Sequence, residues 1–442
     1  MKLIERVSYL NKLKDVMETP DIKVITGIRR SGKSKLMEAF IDYLKDNIKN
    51  ANIIHINFNL SEFADITECH LLNEYISNRY DNKKRNFVFI DEVQMCKDFE
   101  KVINWLHASE KYDIYITGSN AFLLSSDLAT LFTGRTFEIE VYPFSFKEFI
   151  TYYDSLDINE AFKRYLLQGG LSGSYVYKKD KDKYDYISEV YDTLIIRDIK
   201  QKYRIKYVSL LNKLSEFLLD NISNLSSSRK ITSVFQNDNE HVDRKTVAKY
   251  IECLCNAFAF YKFRRYDVRG KHYLATNEKY YLSDHAIRYA KLGTKRLDYG
   301  RMLENIVAIE LKRRGYEVYV GVLYKKEIDF VAKKRSEQIY IQVSYNIDDK
   351  DTFKREIAPL LSIRDAYPKM IITVMNHDSY TYEGVQIVNA ISWLTLKWLK
   401  IIMEQKLPKA NQIKKSIEVE VFLNMNILEL IEVVKAKTFY IK

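Results

Sequence analysis

Short apolar runs alternate with helix-length segments over the first third of the chain. The runs occupy residues 22–26, 52–57, 87–90, 114–117 and 137–141. Runs of this length are typical of parallel strands buried on both faces, and the segments between them would supply helices that cover the sheet. The pattern predicts an α/β core with a parallel sheet over residues 1–142.

The pattern changes at Pro143, where the strands stop and helical periodicity takes over. Helices are predicted over residues 144–153, 159–168 and 184–196. A group of helices that follows an α/β core directly suits a small lid, which we assign to residues 143–200.

A further module is predicted over residues 201–295. Helices are expected near residues 207–221 and 246–258, with a middle helix entering near Ser228 and with Asp243 capping the last helix. Two short extended runs follow. Three helices and then a hairpin are the order of a winged helix.

A second α/β pattern covers residues 296–394. A helical run at 303–314 is followed by strands near 317–320, 327–332 and 340–343. The tail, residues 395–442, contains a lysine-rich stretch and then an apolar run, and its role is unknown. An interaction arm and an added helix both remain open for it.

A candidate nucleotide-binding loop follows the first apolar run directly. The segment Gly27-Ile28-Arg29-Arg30-Ser31-Gly32-Lys33-Ser34 has the spacing of a P-loop, in a chain with only 13 glycines. Its backbone N–H groups would face a phosphate at the start of a helix, with Lys33 near the β- and γ-phosphates and Ser34 on a magnesium ion. ATP is the expected ligand. The predicted nucleotide contacts are Gly27, Arg29, Arg30, Ser31, Gly32, Lys33, Ser34 and Lys35.

Two adjacent carboxylates, Asp91 and Glu92, end the third apolar run. Alone they would indicate a strand followed by a surface turn. Together with a P-loop, they indicate a metal-holding Asp91, which shares Mg²⁺ with Ser34, and a Glu92 that deprotonates the attacking water.

Candidates for sensing or neutralising the γ-phosphate follow the fourth apolar run. Asn120 is the first choice for contact with the phosphate or the water and Ser119 the second, although either residue could simply cap a helix. Arg135, after Gly134, could offset transition-state charge in its own or a neighbouring subunit, or lie solvated on a turn. The predicted catalytic set is Glu92, Lys33, Asn120 and Arg135. A homo-oligomer follows only if Arg135 acts on a neighbour.

The net charge of +11 and the pI near 9.0 indicate an acidic partner, with duplex DNA ahead of a membrane surface. The candidate phosphate contacts lie on the last helix of the winged-helix module and on its hairpin, where Lys262 is also basic. They are Arg244, Lys245, Lys249, Arg264, Arg265, Arg269 and Lys271. A solvated helix face or a protein-binding surface is the alternative.

Composition agrees with a large cytoplasmic protein. The chain is 47% apolar, and it has no run of about 18 apolar residues that could cross a membrane. Its N-terminus turns charged too early for a signal peptide. We therefore expect no contact with a membrane.

The C-terminal domain carries acidic residues in an order that suggests a restriction-type nuclease. Such enzymes place an acid on one strand and an acid-x-lysine pair on the next, because carboxylates hold the metal and the lysine helps to activate water. Glu304, Glu327 and Asp329 suit this pattern, but the later pair reads Gln342-Val343-Ser344. The missing lysine predicts an inactive copy of the fold.

These motifs together resemble the prokaryotic AAA-type ATPases whose core is followed by a winged helix and a nuclease-like domain of unknown function. The resemblance covers roughly residues 5–394 and is carried by Thr26–Ser34, Phe89–Gln94, Thr117–Ser119 with Gly134-Arg135, Tyr142–Phe149, and Glu327–Val331 with Gln342-Val343. It implies ATP binding and hydrolysis, with Gly32, Lys33, Ser34, Asp91 and Glu92 in the family's roles. It implies little about biological purpose.

The sequence therefore favours an ATPase that couples nucleotide state to DNA binding. A nucleotide-gated protein-binding scaffold with little turnover is the alternative. A metal-dependent nuclease driven by the ATPase core is a third interpretation, which the missing lysine disfavours.

Overall fold

The computed structural model describes residues 4–118, 132, 134–237, 242–294, 298–324, 326–335, 337–375 and 378–395. Ser119, Asn120 and the tail from residue 396 lie outside the described residues. Within this part of the chain, no helix is long and apolar enough to cross a membrane.

The amino-terminal part forms a five-stranded parallel sheet in the order β2-β3-β4-β1-β5. The strands are β1 Ile22–Thr26, β2 Ala51–Asn57, β3 Arg85–Asp91, β4 Tyr112–Thr117 and β5 Thr136–Glu140. All five apolar runs are thus strands, and the predicted parallel α/β core is confirmed. Because every strand points the same way, Thr26, Asp91 and Thr117 share one edge of the sheet.

Helices cover both faces of this sheet. They are α1 Val7–Asp15, α2 Lys33–Asn47, α3 Cys69–Ser77 and α4 Phe99–Ala108. Val88 and Ile90 pack with α3 and α4, whereas Phe87 and Phe89, on the opposite face, pack with α1 and α2. The strands are apolar on both sides because both sides are buried.

The chain continues into helices that occupy the stretches with helical periodicity. They are α5 Phe146–Tyr152, α6 Ile158–Gln168, α7 Asp180–Thr193, a π-helix at Leu194–Ile199, and α8 Lys200–Tyr203. The side chains of Ser145 and Glu148 form a capping box that fixes the start of α5. Where an ordinary helix was expected from residue 184 to 196, the chain forms α7 from Asp180 and then the π-helix.

Three helices and a hairpin follow. They are α9 Val208–Asp220, α10 Ser228–Asn237, α11 Arg244–Asn256, β6 Phe260–Asp267 and β7 His272–Leu282. The side chain of Asp243 accepts hydrogen bonds from the N–H groups of Lys245 and Thr246 at the start of α11, as its capping role predicts. Helix α11 packs against β6.

The hairpin is part of a larger sheet. Strand β6 pairs in parallel with β8, and an eight-stranded sheet runs in the order β12-β13-β11-β10-β9-β8-β6-β7. Its other strands are β8 Glu317–Leu323, β9 Lys326–Lys334, β10 Glu337–Ser344, β11 Lys369–Thr373, β12 Tyr380–Tyr382 and β13 Val385–Asn389. The sheet therefore crosses the predicted boundary at residue 295, because pairing with β8 satisfies the backbone groups along one edge of β6.

The helices of this region are α12 Ala286–Leu292, α13 Tyr299–Arg313, α14 Lys350–Leu361 and α15 Ala390–Leu394. One continuous apolar core joins residues of α5 to α7, α9 to α11, α13 and the larger sheet. The helical region and the carboxyl-terminal sheet thus share buried side chains.

Candidate functional site

The loop between β1 and α2 needs its two glycines. Gly27 has φ 130°, and a Cβ there would lie 2.1 Å from the carbonyl oxygen of Val141. Gly32 has φ 97°, and the nearest described atom to a Cβ there is Nη1 of Arg6, at 4.0 Å. Gly27 is therefore fixed by close backbone approach, whereas Gly32 is fixed by its left-handed backbone at an open position.

The start of α2 presents unpaired backbone donors. The first hydrogen bond of the helix runs from the N–H of Leu36 to the carbonyl of Gly32, so the N–H groups of residues 33–35 precede the helical ladder. The hydroxyl oxygen of Ser31 is buried and has no hydrogen-bond partner among the described residues. A loop with free donors at a helix N-terminus is suited to an anion.

Lys33 is folded back over this loop. Its buried Nζ donates to the carbonyl oxygens of Gly27 at 2.8 Å and Ile28 at 3.2 Å. Burial lowers the pKa of Lys33 to about 8, against the opposing pull of the Glu92 and Asp91 carboxylates. An anion in the loop would therefore offer the ammonium group a stronger partner than the two carbonyls do.

The carboxylates at the end of β3 lie beside β4. Asp91 is buried, and the hydroxyl of Thr117 donates to its Oδ1. The N–H of Glu92 donates to the same hydroxyl at 3.4 Å, and Nε2 of Gln94 donates to the Glu92 carboxylate. Thr117 and Gln94 were not predicted as site residues, although the end of a strand next to β3 was a signal for Thr117.

Glu92 has a left-handed backbone, with φ 56°. This conformation costs a non-glycine residue on the order of 1 kcal/mol, and it persists where the surrounding structure determines it. The turn directs Glu92 away from the line of β3, beside Gln94.

A residue that the sequence did not single out braces the loop. Arg6 is buried, and its guanidinium donates to the carbonyl oxygens of Ser31 and Tyr142, each at 2.9 Å. Its Nε donates to Oε1 of Glu148 at 2.7 Å. Arg6 thus ties the loop to the start of α5, a region that the sequence pointed to only through the Tyr142–Phe149 motif of the resemblance.

The other predicted loop residues differ in exposure. Ser34 is half-buried at the start of α2, and Arg30 is exposed with φ 63°. The side chain of Lys35 is exposed and pairs with Glu38, so only its backbone N–H belongs to the loop. Arg29 reaches the π-helix, where its Nη1 lies 3.8 Å from Oδ1 of the buried Asp198.

The structure does not bring Arg135 to the loop of its own chain. Arg135 is exposed and precedes β5, and its carbonyl accepts from the N–H of Ile22 at the start of β1. The loop follows the other end of β1, and a strand of this length spans roughly 13 Å. Within one subunit, Arg135 therefore lies at the opposite edge of the sheet from the loop.

The basic residues predicted to contact nucleic acid are divided between α11 and the hairpin. Arg244, Lys245 and Lys249 are exposed on α11. On the hairpin, Arg264, Arg269 and Lys271 are exposed and Arg265 is half-buried. Some of the hairpin charges are engaged, since Lys262 pairs with Glu278 at 3.8 Å and Arg269 lies over the ring of Tyr324.

A second cluster, of one lysine and three carboxylates, lies at the larger sheet. Lys279 of β7 is buried, and its Nζ lies 2.9 Å from Glu304, 2.7 Å from Glu327 and 3.4 Å from Asp329. The lysine missing from the Gln342-Val343-Ser344 pair is not restored there; a lysine from another strand, Lys279, lies among the carboxylates instead. It is the ammonium group that the carboxylates surround, and no group of His, Cys, Asp and Glu suited to a metal occurs in the described part of the chain.

Asp329 and Gln342 are held in place beside Lys279. Burial, together with the Glu304 carboxylate, raises the pKa of Asp329 to about 7, although Lys279 opposes the shift. Asp329 accepts from the N–H of Val343 at 2.9 Å, and the Gln342 amide donates to Glu356 at 2.8 Å. The polar atoms around the cluster are thus engaged within the protein.

Two family models match this chain. A family model described as an AAA domain matches residues 19–150, and one described as a domain of unknown function (DUF8612) matches residues 159–298. An uncharacterised protein of Haemophilus influenzae is 37% identical over 399 residues, which are 89% of this chain and 98% of that protein. An uncharacterised protein of Methanocaldococcus jannaschii is 26% identical over 374 residues, or 81% of this chain and 82% of that one.

Solved structures are more distant. A Walker-type ATPase of Pyrococcus abyssi has 17% identity and a TM-score of 0.44, covering 65% of this chain and 95% of that one. The Orc1 protein of Aeropyrum pernix, in complex with DNA, has 12% identity and a TM-score of 0.32, covering 65% and 92%. At these TM-scores neither likeness carries weight for fold or function.

Proposed function

This chain belongs to the same family as the Haemophilus influenzae protein and carries an AAA-type P-loop ATPase domain, and from that premise we propose that it binds ATP with Mg²⁺ and hydrolyses it to ADP and phosphate. The observation that carries the proposal is the meeting of Lys33, Asp91 and Glu92 at the carboxyl edge of the sheet. A cation, a metal-holding carboxylate and a base at one strand edge are the parts that phosphoryl transfer needs.

Ser34 and Asp91 are the residues that would hold magnesium. Both offer the hard oxygen atoms that this ion prefers, and the unpartnered Ser31 hydroxyl and free N–H groups beside them suit the phosphates. When bound, the ion offsets phosphate charge. Lys33 exchanges its two loop carbonyls for phosphate oxygens, and Glu92, oriented by Gln94, takes the proton of the attacking water.

The finer domain division rests on element order. We assign residues 1–142 to the core, 143–200 to a helical lid, 201–295 to a winged-helix module and 296–394 to a restriction-endonuclease-like domain. The order α9, α10, α11 and hairpin supports the third assignment, and the order α13, β8, β9, β10 supports the fourth. Lys279 of the hairpin occupies the position between the carboxylates where a nuclease would hold its metal. The last domain is therefore expected to lack nuclease activity.

Duplex DNA is the partner that the basic α11 fits best, since three of its cationic side chains are exposed together. The expected function is then an ATPase whose nucleotide state alters DNA binding. The engaged hairpin charges, Lys262 and Arg269, instead favour the alternative of a nucleotide-gated protein-binding scaffold. An arginine supplied by a neighbouring subunit, with Arg135 as the candidate, would require a homo-oligomer.

The deciding experiment measures steady-state ATP hydrolysis at low salt with and without duplex DNA. Turnover should rise several-fold with DNA, and a variant with Arg244, Lys245 and Lys249 all changed to alanine should lose that rise while keeping its basal rate. Removing three phosphate contacts should also lower the slope of log affinity against log salt by about 3. A wild-type rate indifferent to DNA, with ATP still bound, would favour the scaffold.

Nucleotide affinity should depend on pH through Lys33. Because burial holds the pKa of Lys33 near 8, the ammonium form that attracts phosphate declines as pH rises above 8. Affinity for an ATP analogue should be level between about pH 6.5 and 7.5 and then fall by up to about tenfold for each pH unit. Calorimetric titrations of the ATP analogue from pH 6.5 to 9.5 would measure this change in affinity. A Lys33→Arg variant should lose this dependence, and a flat wild-type profile would contradict it.

A further inference from the structure

The π-helix at Leu194–Ile199 carries a carboxylate that faces the nucleotide loop. Asp198 is only 5% exposed, and its Oδ1 lies 3.8 Å from Nη1 of Arg29. Its charge also acts on Lys33 at the end of the same loop. Unlike Asp91 and Glu92, which have roles with magnesium and water, Asp198 comes from the helical region, and its charge would repel a phosphate in the loop. Short π-helices occur frequently at functional sites.

The same segment is attached to the loop by apolar contacts. Ile195 and Ile199 are buried in the core that also contains Ile28 of the loop. The π-helix therefore contacts the loop through an ion pair and through apolar packing at once. A change in the position of Arg29 would therefore act on packed side chains rather than on solvent.

On another side, the π-helix packs against α11. This helix presents Arg244, Lys245 and Lys249 to the exterior. One six-residue segment thus connects the loop with the basic helix. A π-helix interrupts the regular hydrogen-bond pattern of its helix, and such interruptions are sites where a helix bends.

We propose that Asp198 is the residue through which the helical region detects polyphosphate in the loop, and that the π-helix passes the signal to α11. The Asp198 carboxylate pairs with Arg29. A triphosphate attracts Arg29 and repels Asp198, so the ion pair opens and the π-helix moves relative to α11. This inference rests on the proposed ATP binding, and it assigns to Asp198 a regulatory role that does not require contact with the reacting atoms.

Asp198→Asn removes the repulsion and leaves the side-chain shape. The variant should bind a fluorescent, slowly hydrolysed ATP analogue about tenfold more tightly than wild type. Asp192→Asn is the matched control, since Asp192 lies on α7, is half-exposed and pairs with Lys291 at 2.7 Å. The control should bind the analogue like wild type.

Amide hydrogen exchange tests whether the π-helix passes the signal to α11. In the wild-type protein the analogue should increase exchange over residues 194–199 and change it over 244–256. In Asp198→Asn the exchange over 244–256 should no longer respond to nucleotide. The wild-type measurement remains decisive even if Asp198→Asn folds poorly.

The outcomes separate this inference from the proposed function. Wild-type protein that binds no nucleotide would refute ATP binding itself. If wild type binds, then unchanged exchange over residues 194–199, or an Asp198→Asn variant with equal or weaker affinity, would overturn the role of Asp198 and leave the ATP site standing.

Discussion

Lys33→Ala is expected to lower ATP turnover by at least about 10²–10³-fold, the usual cost of removing one preorganised charge from a transition state. The Lys33 ammonium group, now bonded to the Gly27 and Ile28 carbonyls, is the charge expected to contact the transferred phosphate. Phosphate release at saturating ATP would measure the loss. Glu92→Gln should lower turnover comparably but leave nucleotide affinity nearly unchanged, because the glutamate acts on water.

The matched control for this loss lies on the same helix. Lys45 is exposed on α2 and pairs with Asp42 at 3.3 Å, so Lys45→Ala should keep wild-type turnover. If Lys33→Ala hydrolysed ATP at the wild-type rate, the activity would have to come from another site or from a contaminant. If Lys45→Ala lost activity equally, the effect would reflect damage to α2.

Lys279→Met is expected to destabilise the protein by about 3–5 kcal/mol, because it leaves buried carboxylates without their cation. Lys279 is 4% exposed in its side chain, and three carboxylates contact its ammonium group. Denaturant unfolding, followed by a signal from the larger sheet, would measure the change. Lys262→Met is the control on the same hairpin, since its pair with Glu278 is partly exposed at 3.8 Å, and it should cost less than about 1 kcal/mol.

The pH dependence of this effect has a defined sign. The carboxylates raise the pKa of Lys279 against the effect of burial, so its contribution is fully present below the unfolded lysine pKa and is lost only as pH rises through the higher folded value. The pKa of Asp329, raised to about 7, means that Asp329 contributes stability below its unfolded pKa and loses it as pH rises toward 7.

In Lys279→Met the deficit should therefore shrink between about pH 7 and 4, as the unpaired carboxylates take up protons. A deficit that is independent of pH, or equal to that of Lys262→Met, would refute the ion cluster. Restoration of stability by millimolar Mn²⁺ in Lys279→Met alone would show that the vacated carboxylates accept a metal. If Mn²⁺ also raised the free energy of unfolding of wild type, the cluster would bind metal even with Lys279 in place.

The sequence predicted the core best where pattern and chemistry coincided. β1 was predicted to the residue, and β3 and β4 to within two residues, because each is an apolar run that ends at a recognisable polar group. The P-loop spacing then determined which edge of the sheet carries the chemistry.

Other features depended on contacts that sequence spacing does not encode. Lys279 lies in a strand that precedes Glu304 by 25 residues, and a single lysine there is ordinarily solvated. Arg6 is one of several charged residues ahead of α1, and only folding brings it to Ser31. Arg135 follows Gly134 in a promising motif, but only the parallel pairing of β1 and β5 shows that it lies at the far edge.

The continuity of the larger sheet bears on how such a chain can evolve. β6 and β8 are hydrogen-bonded neighbours. A recombination event near residue 295 would separate them and leave each product with an unpaired strand edge that is prone to aggregate. The three-helix module with its hairpin and the carboxyl-terminal sheet are therefore expected to be inherited together. Lineages that exchange parts should do so near Pro143, ahead of both, where no strand pairing between the two sheets would be broken among the described residues.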